Sequence, residues 1–178
     1  MSIGPRTPST LLTDPLSGAA HLEETVWIDA PAAAVFAWID DQRNTGWHMS
    51  RPSLAMLGSA LHTEQLSPNP TGPGATYRSH GRVLGLRVDF TARVTRWLPD
   101  TEKVWQTIGD PRLIVLGSFE MQLTIKPEAG GSRLVTGIDY TLPKSRAGRL
   151  LGRLLSRPYS RWCLHRICRD AKAALEKR

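Results

Sequence analysis

The sequence predicts an α+β domain: an antiparallel sheet of about seven strands, covered on one face by a long C-terminal helix. Three observations carry this. Residues 61–142 break into short alternating segments divided by Gly- and Pro-rich turns, the pattern of a meander. The alternation sorts apolar side chains to one face and polar ones to the other, so one face is covered and one meets water. After residue 146, apolar side chains recur at helical spacing with arginines between them.

The first strand is read in "LEETVWI" (22–28), where Leu22, Glu24, Val26 and Ile28 share one face. "IDAPAAAVFAWIDD" (28–41) then turns from strand to helix. Asp29 is placed to cap it, Pro31 suits its first turn, and Val35, Trp38 and Ile39 follow at helical spacing. "NTGWHMSRPSLAM" (44–56) offers a second short helix, broken near Pro52. The strands that follow are "LHTEQL" (61–66), "ATYRSHGRV" (75–83), "LRVDFTARVTRW" (86–97), "KVWQTI" (103–108), "RLIVLGSFEMQLTI" (112–125) and "RLVTGIDYTL" (133–142). In the fifth of these, Leu113, Val115, Phe119, Met121, Leu123 and Ile125 are expected to share a face. Pro158 divides the C-terminal segment. A first piece, 146–156, carries Leu150, Leu151, Leu154 and Leu155. A longer helix, 158–176, buries Leu164, Ile167, Cys168, Ala171, Ala174 and Leu175.

With 178 residues the chain is expected to form one domain over residues 21–178, preceded by a flexible tail over 1–20 that is rich in Pro, Ser, Thr and Gly. No run is long and apolar enough to cross a bilayer, and no basic-then-apolar leader opens the chain, so the expected location is cytoplasmic. Cys163 and Cys168 lie about 140° apart on a helix, which forbids an intrahelical disulfide. No metal-ligand spacing, Walker loop, GxSxG, HExxH or dinucleotide fingerprint is present, so neither metal nor cofactor is expected. The net charge of +7 is uneven: residues 143–178 carry +9 and residues 1–142 carry −2.

The order of strand, two short helices, six further strands and long helix resembles the START/Bet v 1-like (SRPBCC) superfamily, of the polyketide cyclase/dehydrase and lipid-transport type. "IDAPAAAVFAWIDD", "GPGATYRSHGRVLG", "GGSRLVTGIDYTLP" and "GRLLGRLLSRPYSRW" carry the resemblance, which spans residues 22–178. It implies a helix-grip fold, in which a curved sheet wraps the C-terminal helix and a cavity lies between them. The short helices would close one end. The superfamily shares no catalytic motif, so the resemblance implies a fold rather than a reaction.

The polar members of the inward face are the informative ones. Tyr77, Ser79, Thr136 and Tyr140 keep the register of apolar neighbours, and a buried hydroxyl needs a partner. Together with Trp47, Phe90, Trp105, Phe119 and Met121 they are the candidate ligand-binding residues. His48 and Arg51, three apart, are a candidate pair at the pocket mouth. His80 and Asp89 are expected on the outer face, and His165 among exposed arginines.

The expected function is binding of a small hydrophobic or amphipathic molecule by a non-catalytic carrier. An alternative is a polyketide cyclase/aromatase-like enzyme in which Tyr77, Tyr140 or Arg51 assists proton transfer. A second alternative is a weak contact of the basic C-terminal segment with an anionic membrane surface. Nucleic acid is not an expected partner, since no aromatic platforms interleave with the basic residues.

Overall fold

The computed structural model describes residues 19–50 and 58–176, with only the backbone described for Trp47 and His48. Residues 1–18 of the expected tail and Arg51 therefore lie outside the described residues.

The chain forms β1 (Ala20–Ile28), α1 (Ala32–Asp40), α2 (Gln42–Thr45), α3 (Trp47–Ser50), β2 (Leu61–Gln65), β3 (Thr76–Val83), β4 (Leu86–Leu98), β5 (Glu102–Arg112), β6 (Phe119–Glu128), β7 (Gly131–Tyr140) and α4 (Arg146–Leu175). The seven strands make one antiparallel sheet in the order β1-β7-β6-β5-β4-β3-β2. This is the helix-grip arrangement.

Two bulges bend the sheet. Opposite Phe90 of β4 stand three residues of β5, 109–111, and Gly109 takes a φ of 73° there. Further along β4, Thr95 is the extra residue between the pairs Val94–Trp105 and Arg96–Val104. Strict alternation from Val94 would turn Trp97 outward. The inserted residue turns it inward instead, which is what a bulge does to the strand beyond it. Curvature brings non-adjacent strands into contact: the rings of Phe90 and Phe119, on β4 and β6, meet edge to face at 5.6 Å.

Several local expectations are corrected. The cap of α1 is Pro31, one residue before the helix, with no side-chain cap bond. Asp29 instead donates its backbone N–H to Glu176 Oε1 at 2.9 Å, joining the β1–α1 link to the end of α4. Within the expected second short helix, α3 holds Trp47 and Met49, a separate single turn, α2, precedes it, and residues 51–56 lie outside the described residues. The expected strand 112–125 is two elements. β5 runs on to Arg112, and residues 113–118 form a loop before β6. The loop is held by Gly117 N–H donating to Thr141 O at 2.8 Å, so closely that a Cβ on Gly117 would lie 2.6 Å from Leu142 O.

The helix α4 is continuous through Pro158. Proline removes one backbone donor. Here Pro158 and Leu154, whose carbonyl loses that bond, are both exposed, so water can serve it. The buried side of the first half of α4 is made of small residues: Gly152, Ser156 and Ser160. A Cβ at Gly152 would come within 2.9 Å of Val115 O, so the backbone packs too close for larger side chains. The leucines of this half therefore face outward. Further on, Leu164, Ile167, Cys168 and Ala171 are buried as expected. Leu175 is partly buried and Ala174 is exposed.

On the outer face, Asp89 is held by both Nε and Nη2 of Arg78 at 2.9 Å and by Arg87 at 2.7 Å. These hydrogen bonds hold its carboxyl well below the ordinary value of 3.8. A depressed carboxylate pKa adds stability above the unfolded value, and that stability is lost as the pH falls towards the folded one. Asp89→Asn should therefore lower the urea midpoint at neutral pH. The gap from wild type should narrow as the pH is taken below 3.8, measured by denaturation at a series of pH values.

Candidate functional site

The register settles which side chains share the concave face. Tyr77 pairs with Ala92, Ser79 with Phe90, Val94 with Trp105, Trp105 with Met121, Leu123 with Thr136 and Phe119 with Tyr140. All of these are buried. The eight sequence-expected residues whose side chains are described thus lie on one concave surface. His80 and Asp89 lie on the outer face, and His165 is exposed, 3.5 Å from Glu24.

Helix α4 packs chiefly on β1 and then β7, at one side of that surface. The far side, towards β2, is reached by α3, which touches both β2 and α4. The interior is bounded by the sheet, α4 and the α2–α3 turns. At one end, α1 packs on β6, β7 and α4, and Phe36 meets Trp97 edge to face at 5.5 Å.

The hydroxyls expected to orient a ligand have protein partners. Tyr77 donates to Pro70 O. Ser79 Oγ lies 2.8 Å from Thr63 Oγ1. Thr136 donates to Glu24 O at 3.2 Å and lies 3.4 Å from Cys168 Sγ. Ser156 Oγ lies 3.3 Å from Tyr140 OH. The Tyr140 contact is longer than the usual O–H···O distance, so that hydroxyl is only loosely engaged, whereas Thr136 has two partners. Tyr77 is pushed up to about 12 by burial and then by the negative charges of Asp40 and Asp41. It stays a neutral hydrogen-bond donor at any physiological pH.

Two features were not anticipated. The first is a buried ion pair. Lys103 is completely buried, and its Nζ donates to Asp40 O at 2.7 Å and Asp40 Oδ1 at 3.1 Å. Trp97 Nε1 donates to the same carboxylate oxygen at 3.0 Å. Burial pushes the lysine below its ordinary value, against the pull of Asp40. The signal was present: Lys103 is two residues before Trp105 and so shares its face.

The second feature is a set of buried polar atoms with no hydrogen-bond partner among the described residues: Ser160 Oγ and Arg166 Nε on α4, and Gln42 Oε1 and Thr45 Oγ1 on α2. The two helices touch each other. Ser156 and Ser160 stand at i and i+4 before Leu164, on the stripe that continues to Ala171, so their burial was legible in the spacing.

The two cysteines are buried free thiols. Burial pushes Cys163 up to about 12 and Cys168 to about 11, so neither is a thiolate at neutral pH. Among the described residues no three His, Cys, Asp or Glu side chains are grouped to hold a metal ion. No described helix is long and apolar enough to cross a membrane. Open clefts lie elsewhere: one of about 450 Å³ between the β1–α1 link and the β6–β7 turn, and one of about 320 Å³ on α4.

Comparison with known proteins agrees with this architecture. The family model described as polyketide cyclase / dehydrase and lipid transport matches residues 19–178. No curated protein matches the chain. The structure is similar to TTHA0849 from Thermus thermophilus, with a TM-score of 0.65 and 15% identity over 88% of this chain and 97% of that one. It is similar to the Zhui aromatase/cyclase from Streptomyces sp. R1128, with a TM-score of 0.63 and 16% identity over 89% and 97%. It is also similar to Ara h 8.0201, with a TM-score of 0.60 and 12% identity over 90% and 100%. At these identities the likeness is one of fold.

Replacing Lys103 with Met should leave the Asp40 carboxylate buried beside a single indole donor. The expected loss is about 3 kcal/mol of stability, the scale for breaking one side of a buried pair. Urea denaturation would show it, and Lys103→Met/Asp40→Leu should recover much of the loss.

Proposed function

Because the chain belongs to the polyketide cyclase/dehydrase and lipid-transport family, we propose that it binds a small apolar or amphipathic molecule between the sheet and α4 and carries it unchanged in the cytoplasm. One observation carries this reading: an apolar concave wall is roofed by helices that carry a few buried polar atoms, Ser160 Oγ above all, with no hydrogen-bond partner among the described residues. A pocket of this kind suits a molecule with an apolar body and a polar head. Phe90, Trp105, Phe119 and Met121 would hold the body. Tyr77, Ser79, Thr136 and Tyr140 would orient the head, with Ser160 as the addition the structure suggests. On sequence grounds alone, Trp47 keeps its proposed place among the ligand-binding residues, and His48 and Arg51 theirs at the pocket mouth.

A second reading is a cyclase/aromatase-like enzyme, the activity named for the Zhui neighbour. It is favoured by the buried Lys103–Asp40 pair, and by the action of the Asp40 and Asp41 carboxylates on Tyr77. In that reading Tyr77, held protonated, would donate a proton or hydrogen bond rather than act as a base.

Native mass spectrometry of the protein incubated with a cell lipid and metabolite extract separates the two. A carrier retains a species with its mass unchanged, and an enzyme converts it. For the species captured, Ser160→Ala and Tyr140→Phe should each weaken binding by about 1 kcal/mol in calorimetric titration, the net worth of one hydrogen bond. Ser160→Ala should also raise the stability of the protein without added ligand, because it removes an unpaired buried hydroxyl. Unchanged affinity in both variants would return these groups to the core.

A further inference from the structure

The first half of α4 presents four leucines to water. Leu150, Leu151, Leu154 and Leu155 are 63, 40, 67 and 47% exposed. On a helix of 3.6 residues per turn they fall on the side away from Gly152, Ser156 and Ser160, which pack on the protein. Beside them runs a stripe of exposed arginines: Arg146, Arg149, Arg153, Arg157 and Arg161. None of these five is paired with a carboxylate among the described residues, and no Asp or Glu occurs between Asp139 and Asp170. Three of them, with Leu150, line an open cleft of about 320 Å³.

A second apolar contact lies at the same end of the sheet. The β3–β4 turn is Leu84–Gly85, and the strand ends there share an end with the close of β7, from which α4 departs. Leu84 is 70% exposed and takes a φ of 50°. Both central residues of the turn have positive φ, a conformation that suits Asn or Gly and strains a leucine. Leu86, next in the chain after Gly85, is 54% exposed. Water gains nothing from a bulky apolar residue in that conformation, and neither does the fold.

We propose that this end of the molecule is a docking surface for an anionic lipid bilayer, with the leucines entering the headgroup region and the arginines engaging lipid phosphates. The pattern of apolar face and unpaired basic flank is that of a helix lying in the interface plane. Charge settles the choice of occupant. A second copy meeting the same face by a two-fold axis would bring two arginine stripes together with no carboxylate between them, whereas an acidic membrane supplies the opposite sign. This surface is made of exterior residues only and stands apart from what the interior holds.

The test is flotation of the whole protein with vesicles of phosphatidylcholine alone or mixed with phosphatidylglycerol, at low and high salt. Binding should require the anionic lipid and weaken with salt. Arg149→Gln/Arg153→Gln should lower the partition coefficient roughly 25-fold, about fivefold for each charge removed. Leu150→Gln/Leu154→Gln should also weaken binding while leaving the urea midpoint unchanged. Leu84→Asn should weaken binding and raise the melting temperature, because it relieves the turn. The absence of binding to anionic vesicles at low salt would overturn the proposal, as would equal binding to both vesicle types. So would a dimer, seen by sedimentation velocity, that the leucine variant dissociates without changing vesicle binding.

Discussion

A seven-stranded antiparallel sheet is roughly 29 Å across, whereas the helix laid over it is about 10 Å wide, and most features of this chain answer that mismatch. Helix α4 can cover β1 and β7, and it does. The concave face of β3 to β6 lies largely beyond its reach, yet it is apolar and must leave water. The chain responds by bending the sheet at two bulges, by turning large side chains such as Phe90, Trp105 and Phe119 into the gap, and by sending α2 and α3 across it. The concave face is thus closed by side chains from several elements, among them Leu164, Ile167 and Ala171 of α4.

The buried pair of Lys103 and Asp40 belongs to the same solution. It ties the end of α1 to β5 where the helix crosses the end of the sheet, and Trp97 reaches it only because the bulge at Thr95 turns that strand over. The opposite end is joined differently. There α4 leaves β7 on a glycine and two serines packed against the protein, which places its leucines and arginines outside. The molecule therefore has one end sealed by an ion pair and aromatic contacts, and one end that is basic and apolar on its surface.

How much of this could be read beforehand depended on range. Period-two alternation is local, so the inward positions of Tyr77, Ser79, Phe90, Met121, Thr136 and Tyr140 were legible from neighbouring residues alone. Lys103 was equally legible as inward-facing, but its partner Asp40 is 63 positions away and nothing local announces the pairing. The break at 113–118 was hidden because Leu113 and Val115 continue the alternation; the cause, Gly117 packed on Leu142, is tertiary. Pro158 argued for a helix break, but its exposure makes the missing bond cheap. The four leucines showed amphipathic spacing, but which side of that helix meets the protein was decided by Gly152, Ser156 and Ser160.

The central claim is that the concave face beyond the reach of α4 receives an apolar molecule. The most direct measurement is methyl-resolved NMR of the whole protein titrated with a simple amphipathic probe, decanoate. Saturable shifts are expected at the methyls of Ala92, Met121, Leu123 and Ile138, all on the concave face. Shifts confined to the outer leucines of α4, with the concave methyls unmoved at saturation, would contradict the claim.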